Sequence, residues 1–388
     1  MIKTMVAYTK EIDDIDFAVE EMLGQLDLDS LLAETVGIAY CFADFVETDV
    51  VRAVCEKLPF RVIGATTIAT AVNESDSPMI FGLLVLTSDD VKFRVCVTEE
   101  LREEGSEEII RRAYEKASEG MEERPVLLLS YFPLLSPTSG DFLVNTFSAI
   151  APGIPMFGTL CVTLGDNFVS SRVIVDGIFH KSVAAMILVY GDVKPRFYLG
   201  NLYEEKLMKD KAVVTGVRGF ALQTLNDTPA RDVLTQMGLS TDSQGELLMP
   251  ELFPLVVDFN DGTPPILRAM LKSFPDGTVN LAGEIPAGAT LSVSSIDVRE
   301  VQTVTERTLE AIEKEEHYDC ALLHSCAARF YVAMEIDDEL ELKAIRKHLN
   351  DGASFIISYS AGEICPVKGR DNTFTNRMHN YAIIACVF

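Results

Sequence analysis

The sequence predicts an α/β (α+β) protein of two domains, built from repeated strand-helix-strand-strand modules whose mixed sheets carry packed helices. Three observations lead there. Near-continuous apolar runs of strand length alternate with amphipathic helical stretches. The order of these elements returns along the chain. With 388 residues, the chain is also longer than one hydrophobic core usually serves.

The first run, "VGIAYCF" (residues 36–42), is apolar and bounded by polar residues, as a buried strand should be. "TDVVRAVCEKL" (48–58) has helical apolar spacing behind a capping Thr or Asp. "RVIGATTIA" and "MIFGLLVLT" then have strand character, and "VKFRVCV" follows them. After the charged helix "SEEIIRRAYEKASEGMEE" (106–123) the order repeats: strand "VLLLSYF", helix "GDFLVNTFSAIA", then "IPMFGTLCVT", "AAMILVYG" and "VKPRFYLG". Tyr40 corresponds to Tyr131 and Gly64 to Gly158. A third copy closes the chain with "CALLHSC" (320–326), the helix "DDELELKAIRKHLN" (337–350), "SFIISYSAGEI" and "NYAIIACVF". Between Leu202 and Asp319 the texture differs. "VVTGVRGFALQTLNDTPARDVLTQMG" suggests a strand, a turn at "NDTP" and a helix, and "PDGTVNLAGEIPAGATLSVSSID" a turn-rich β segment. "VREVQTVTERTLEAIEKEE" is a long amphipathic helix. A domain boundary near residues 200–205 fits the change.

Composition excludes several function classes. Lys and Arg total 33 against 59 Asp and Glu, a net charge of −26. Such a surface repels phosphate backbones and anionic lipid, which disfavours nucleic-acid binding. Acidic residues arrive too early for a secretory signal peptide, and no apolar run approaches the roughly 20 residues that span a bilayer. The expected location is cytoplasmic, without membrane insertion. Eight scattered cysteines form no CxxC pair and five histidines show no ligand spacing, so neither a disulfide framework nor a metal is expected. No P-loop or GxGxxG spacing supports nucleotide binding.

Several strings, in this order, resemble the FIST family of sensory domains. "TGVRGFALQTLNDTPARDVL" resembles the opening of its C-terminal domain, "DGTVNLAGEIPAGATLSV" its middle, and "ALLHSCAAR", "SAGEICP" and "NTFTNRMHNYAIIACVF" its end. The resemblance implies a FIST N-like domain at 1–202 with two internal repeats and a FIST C-like domain at 203–388. It implies an intracellular sensor of small ligands, amino acids being the proposed class, with no cofactor and no catalysis. With no output domain in the sequence, the signal is expected to pass to a partner such as a histidine kinase or a chemotaxis-type receptor. Departures from the family pattern are "GATTIATA", where a Gly-Cys-Ser-Thr-like string followed by Gly-Glu is common, "SCAARF" for an "SCAGRG"-like string, and "TNRMHNYA" at the His-rich end.

The candidate ligand-binding residues are Arg329, Glu363, Ser325, Cys326, Ser358, Ser360 and Gly362, with Thr66, Thr67 and Thr159 at matching places in the first two copies. Glu363 lies beside an apolar strand, and an ionised acid is costly to desolvate unless something pairs with it. Its partner is expected to be a ligand ammonium or Arg329, which follows a strand whose carboxyl end is where α/β ligands bind. An Arg329 fork on a ligand carboxylate with Glu363 on the amine would suit an amino acid. The competing readings are a structural Arg329–Glu363 ion pair, or two strand-end residues in water. Ser358 and Ser360 share one strand face and would form a small polar wall, or else allow close helix packing. Cys326 behind His324 raises a Cys- or Glu-assisted small-molecule hydrolase as an alternative, although a buried Cys ending a strand explains the same residues. A non-binding interaction scaffold is the third reading.

Overall fold

In the computed structural model, the structure describes residues 2–75, 77–165, 168–201, 206, 210–315, 317–334, 336–337, 339–349 and 352–388. The first unit runs β1 (Lys3–Thr9), α1 (Ile15–Gly24), β2 (Glu34–Cys41), α2 (Val50–Lys57), β3 (Arg61–Thr66), β4 (Thr70–Val72) and β5 (Phe81–Ser88). The second runs β6 (Lys92–Val97), α3 (Ser106–Ala117), β7 (Leu127–Phe132), α4 (Gly140–Ile150), β8 (Met156–Leu160), β9 (Val173–Val175), β10 (Ile178–His180) and β11 (Ala185–Tyr190). The third opens with β12 (Arg196–Gly200). An inserted layer follows: β13 (Ala212–Arg218), β14 (Ala221–Leu225), β15 (Thr228–Pro229), α5 (Ala230–Gln236), β16 (Leu255–Asp258), β17 (Ile266–Arg268), β18 (Met270–Ser273), β19 (Val279–Leu281) and β20 (Thr290–Val293). The third unit then resumes with α6 (Val298–Glu313), β21 (Cys320–Cys326), α7 (Ala327–Met334), α8 (Leu340–His348), β22 (Ser354–Ser360), β23 (Glu363–Lys368), β24 (Phe374–His379) and β25 (Ile383–Val387). These mixed sheets with packed helices are the α/β class expected from the sequence.

Each unit pairs two strands in parallel, β2 with β3, β7 with β8 and β21 with β22, and joins them through helices, as a parallel crossover requires. A returning strand, β5, β11 or β25, lies antiparallel beside the first of each pair, and β1, β6 or β12 forms the edge. The sequence pattern groups residues 91–97 with the first copy and 193–200 with the second. Instead β6 pairs with β11 and β12 with β25, so each of these strands opens the following unit.

A short strand leaves every unit to complete the sheet of another. β4 pairs with β22, β9 with β3, and β23 with β8. The exchange therefore runs in a closed circle. The inner sheet faces meet in one apolar core that includes Ile38, Leu129 and Leu322, one from each unit. Helices cover the outer faces with separate clusters around Val54, Phe147 and Ile345. Strands buried on both sides need continuous apolar sequence, which is why their runs are so legible.

The inserted layer has its own core around Leu222, Leu255 and Leu291. It is fastened to the second unit by the fully buried Arg268, whose Nη2 donates to Asp141 Oδ1 at 2.7 Å and whose Nη1 donates to the Met378 carbonyl at 2.8 Å. The stretch expected as one strand before "NDTP" is a hairpin, β13–β14, turning at Gly219, whose φ of +57° suits glycine. α3 stops at Ala117, before a turn in which Gly120 has φ +75°. The proposed boundary at 202/203 lies outside the described residues.

Candidate functional site

β21 and β22 end side by side at Cys326 and Ser360, and β23 begins at Glu363 directly beyond them. Glu363 is completely buried. The Ser360 hydroxyl donates to its Oε1 at 2.9 Å, while Oε2 has no hydrogen-bond partner. Burial pushes the carboxyl up to about 8. Ser360, the Ala382 amide, the positive charge of Arg329 and the Cys326 thiol each pull the other way without prevailing. In the ladder Glu363 stands opposite Thr159 of β8 and His379 of β24. His379 is also fully buried, its Nδ1 lacks a partner, and burial lowers it to about 3.

Arg329 does not pair with Glu363. It lies in the first turn of α7 and is held against Glu341 of α8 at 2.8 Å. Its Nη2 also donates to Thr305 at 2.7 Å and to the Val301 carbonyl of α6 at 3.2 Å. Its Nε donates to Ser325 at 3.2 Å, and Ser325 in turn donates to Glu341 Oε2 at 2.8 Å. Both charges are buried and surrounded by protein groups. The helix explains the difference: α7 starts immediately after β21 and turns Arg329 toward α6 and α8.

The other expected residues divide between roles. Ser358 and Ser360 share the inner face with Ile356, while Ile357 and Tyr359 face the helices. Ser358 bonds His324 Nδ1 at 2.8 Å. Thr67 donates to the Tyr359 carbonyl at 2.7 Å and accepts from the Tyr359 amide at 3.0 Å, clamping the crossover into β4. Thr66 accepts from the Arg172 amide at 2.9 Å, beside β9. Thr159 donates to the Leu160 carbonyl at 3.2 Å. A Cβ on Gly362 would stand 3.3 Å from Met378 Sδ. Burial raises the Cys326 thiol, and the neighbouring Glu363 raises it further.

A polar cluster where the three units meet escapes the sequence reading. Tyr40 of the first unit, Tyr131 of the second and His324 of the third converge, with ring centroids 6.1 Å apart for Tyr40–Tyr131 and 5.8 Å for Tyr40–His324. The Tyr40 hydroxyl bonds both Tyr131 and Ser358, and burial lifts it well above the usual phenol range. Burial also lowers His324 to about 3, so it is neutral. The matched pair Tyr40 and Tyr131 is the signal that could have found it. Among the described residues no group of His, Cys, Asp and Glu is arranged to hold a metal ion.

The sequence matches the FIST N domain over residues 35–228 and the FIST C domain over residues 230–366. The chain belongs to the FIST family. FIST domains are generally sensory domains linked to signal transduction. No curated protein matches this FIST chain. Among solved structures, cyanuric acid hydrolase from A. caulinodans aligns over 100% of this chain and 99% of its own, at 11% identity and a TM-score of 0.33. No helix among the described residues is long and apolar enough to cross a membrane.

Proposed function

We propose that this FIST protein is a cytoplasmic sensor that binds a small amine-bearing metabolite at Glu363 and signals through a partner protein such as a histidine kinase or a chemotaxis-type receptor. One observation carries the binding site: a fully buried carboxyl group with one oxygen unpartnered, at the carboxyl ends of two parallel strands. A ligand ammonium group would supply the missing donor and offset the desolvation that holds Glu363 near neutrality. An amino acid is the ligand class in view, and it is the amine half that this site favours, because Arg329 is committed to Glu341. The eight free, buried cysteines suit a reducing compartment.

Catalysis is not part of this proposal. A nucleophilic Cys needs a lowered pKa, whereas burial raises Cys326. The scaffold reading draws support from the filled surroundings of Arg329. Calorimetric titration of the full chain against amino acids and simple amines separates the two. At least one ligand is expected to bind, and Glu363→Gln to weaken it at least about 30-fold, as removal of one partner of a buried charge pair does. A folded protein that binds none of them is the scaffold.

A further inference from the structure

Thr159, Glu363 and His379 form one row across β8, β23 and β24, with Glu363 directly opposite both of its neighbours in the ladder. Directly opposed residues share a sheet face, and their Cβ atoms stand about 4.5–5.5 Å apart. All three side chains are buried. Glu363 Oε2 and His379 Nδ1 are both without a hydrogen-bond partner. The two unpartnered atoms therefore sit on adjacent side chains of one face, flanked by the small Thr159. A buried polar atom left unpaired is costly, so a pair of them side by side points to something that donates to both.

The chemistry of the imidazole is fixed by its other nitrogen. His379 Nε2 lies 3.1 Å from the Cys365 carbonyl oxygen, which can only accept, so Nε2 carries the proton. In the neutral ring Nδ1 then presents a lone pair. Burial keeps the ring neutral, and the positive charges of Arg268 and Arg377 act in the same direction. Those two guanidinium groups are themselves engaged by Asp141 and Asp261.

We infer that His379 Nδ1 is the second acceptor for the ligand ammonium group, so that the site selects primary amines over tertiary and quaternary ones. A primary ammonium carries three N–H donors and can give one to Glu363 Oε2 and another to His379 Nδ1. A trimethylammonium has a single N–H, enough for Glu363 alone, and a quaternary ammonium has none. Either would leave the imidazole nitrogen buried and unpaired. The inference rests on Glu363 as the amine site and names the class of amine that the site takes.

The probes are methylammonium and trimethylammonium chloride, titrated at pH 8.5 into the 15N-labelled full chain while the His379 ring nitrogens are followed by NMR. The wild type should bind methylammonium at least about tenfold more tightly, as a site built around an N–H discriminates against an analogue that lacks it. Methylammonium alone should move the Nδ1 resonance toward the protonated range. His379→Leu, of comparable size but without an acceptor, should reduce the preference below about threefold. His379→Asn, which can set an amide oxygen near the Nδ1 position, should retain most of it. Steric exclusion of the extra methyl groups predicts the reverse for Asn, whose smaller side chain leaves more room. A preference that survives His379→Leu, or that vanishes equally in His379→Asn, overturns the inference. So does an Nδ1 resonance that methylammonium leaves unmoved, the result expected if a resident water bridges the two atoms. If neither variant folds, the wild-type resonance decides alone. Methylammonium binding indifferent to Glu363→Gln overturns the proposed function together with this inference. An amino acid that binds through Glu363, with Nδ1 unmoved by either probe, overturns only the role of His379.

Discussion

Glu363 makes stability depend on pH in the sense opposite to an ordinary surface carboxylate. Its carboxyl titrates near 4.5 when unfolded and about 8 when folded, because burial disfavours the charge. Between those values the folded chain keeps a proton that the unfolded chain releases, so stability falls as pH rises from about 4.5 to about 8 and levels above it. Between pH 5 and pH 9 the wild type should lose stability relative to Glu363→Gln by an amount on the order of a few kcal/mol in urea denaturation, a difference in which the buried His324, His379 and cysteines cancel because both proteins carry them. Arg329 offers a second test. Arg329→Met leaves Glu341 as an unpaired buried acid and should cost about 3–5 kcal/mol, whereas the double change to Met at 329 and 341 should recover much of that loss, as urea midpoints would report. The cluster of Glu363, Ser360 and Cys326 was legible in the sequence, because these residues fall at neighbouring strand ends. The Arg329 partnership was not, since a helix starting without a linker after β21 reverses where position 329 points. Tyr40, Tyr131 and His324 are far apart in sequence and meet only when the three units close together.

At the scale of elements, a glycine is demanded where two parallel strands approach most closely. A Cβ on Gly158 would lie 1.9 Å from the Ser130 carbonyl oxygen, and one on Gly64 would lie 1.7 Å from that of Ala39. Backbone occupies the space in both cases, so no rotamer change relieves it. Gly158→Ala should therefore cost about 3 kcal/mol or more and lower the thermal midpoint sharply. Gly362→Ala is the control. The nearest atom to its Cβ would be Met378 Sδ at 3.3 Å, in a flexible side chain, and the change should cost under about 1.5 kcal/mol. The equivalence of Gly64 and Gly158, read from their place after Tyr40 and Tyr131, is thus a shared steric need. Strand existence was legible for the same reason that strands buried on both faces are apolar throughout. Pairing was not: β4 and β9 are only three residues long, and nothing in so short a run tells which sheet receives it.

For the whole molecule, circular strand exchange joins three units that sequence alone presents as a pair of domains. β4 needs β22 and β8 needs β23, while β12 near residue 200 needs β25 at the far end of the chain. The central core also draws on all three inner faces, so removal of one unit exposes apolar surface on the other two. A linear pair of independent domains would unfold in two steps, and residues 1–201 alone would melt cooperatively. The closed ring demands otherwise. Scanning calorimetry of the full chain should give one transition for the three units, with any separate event confined to the inserted layer, which has its own core. Residues 1–201 expressed alone should lack a cooperative melt and bind a hydrophobic dye, because β4, β8 and β12 are left without their partners and the inner faces without their cover. A fragment that melts sharply near the full-length midpoint would mean that the exchanged strands contribute little, and that the first two units are held by their own cores.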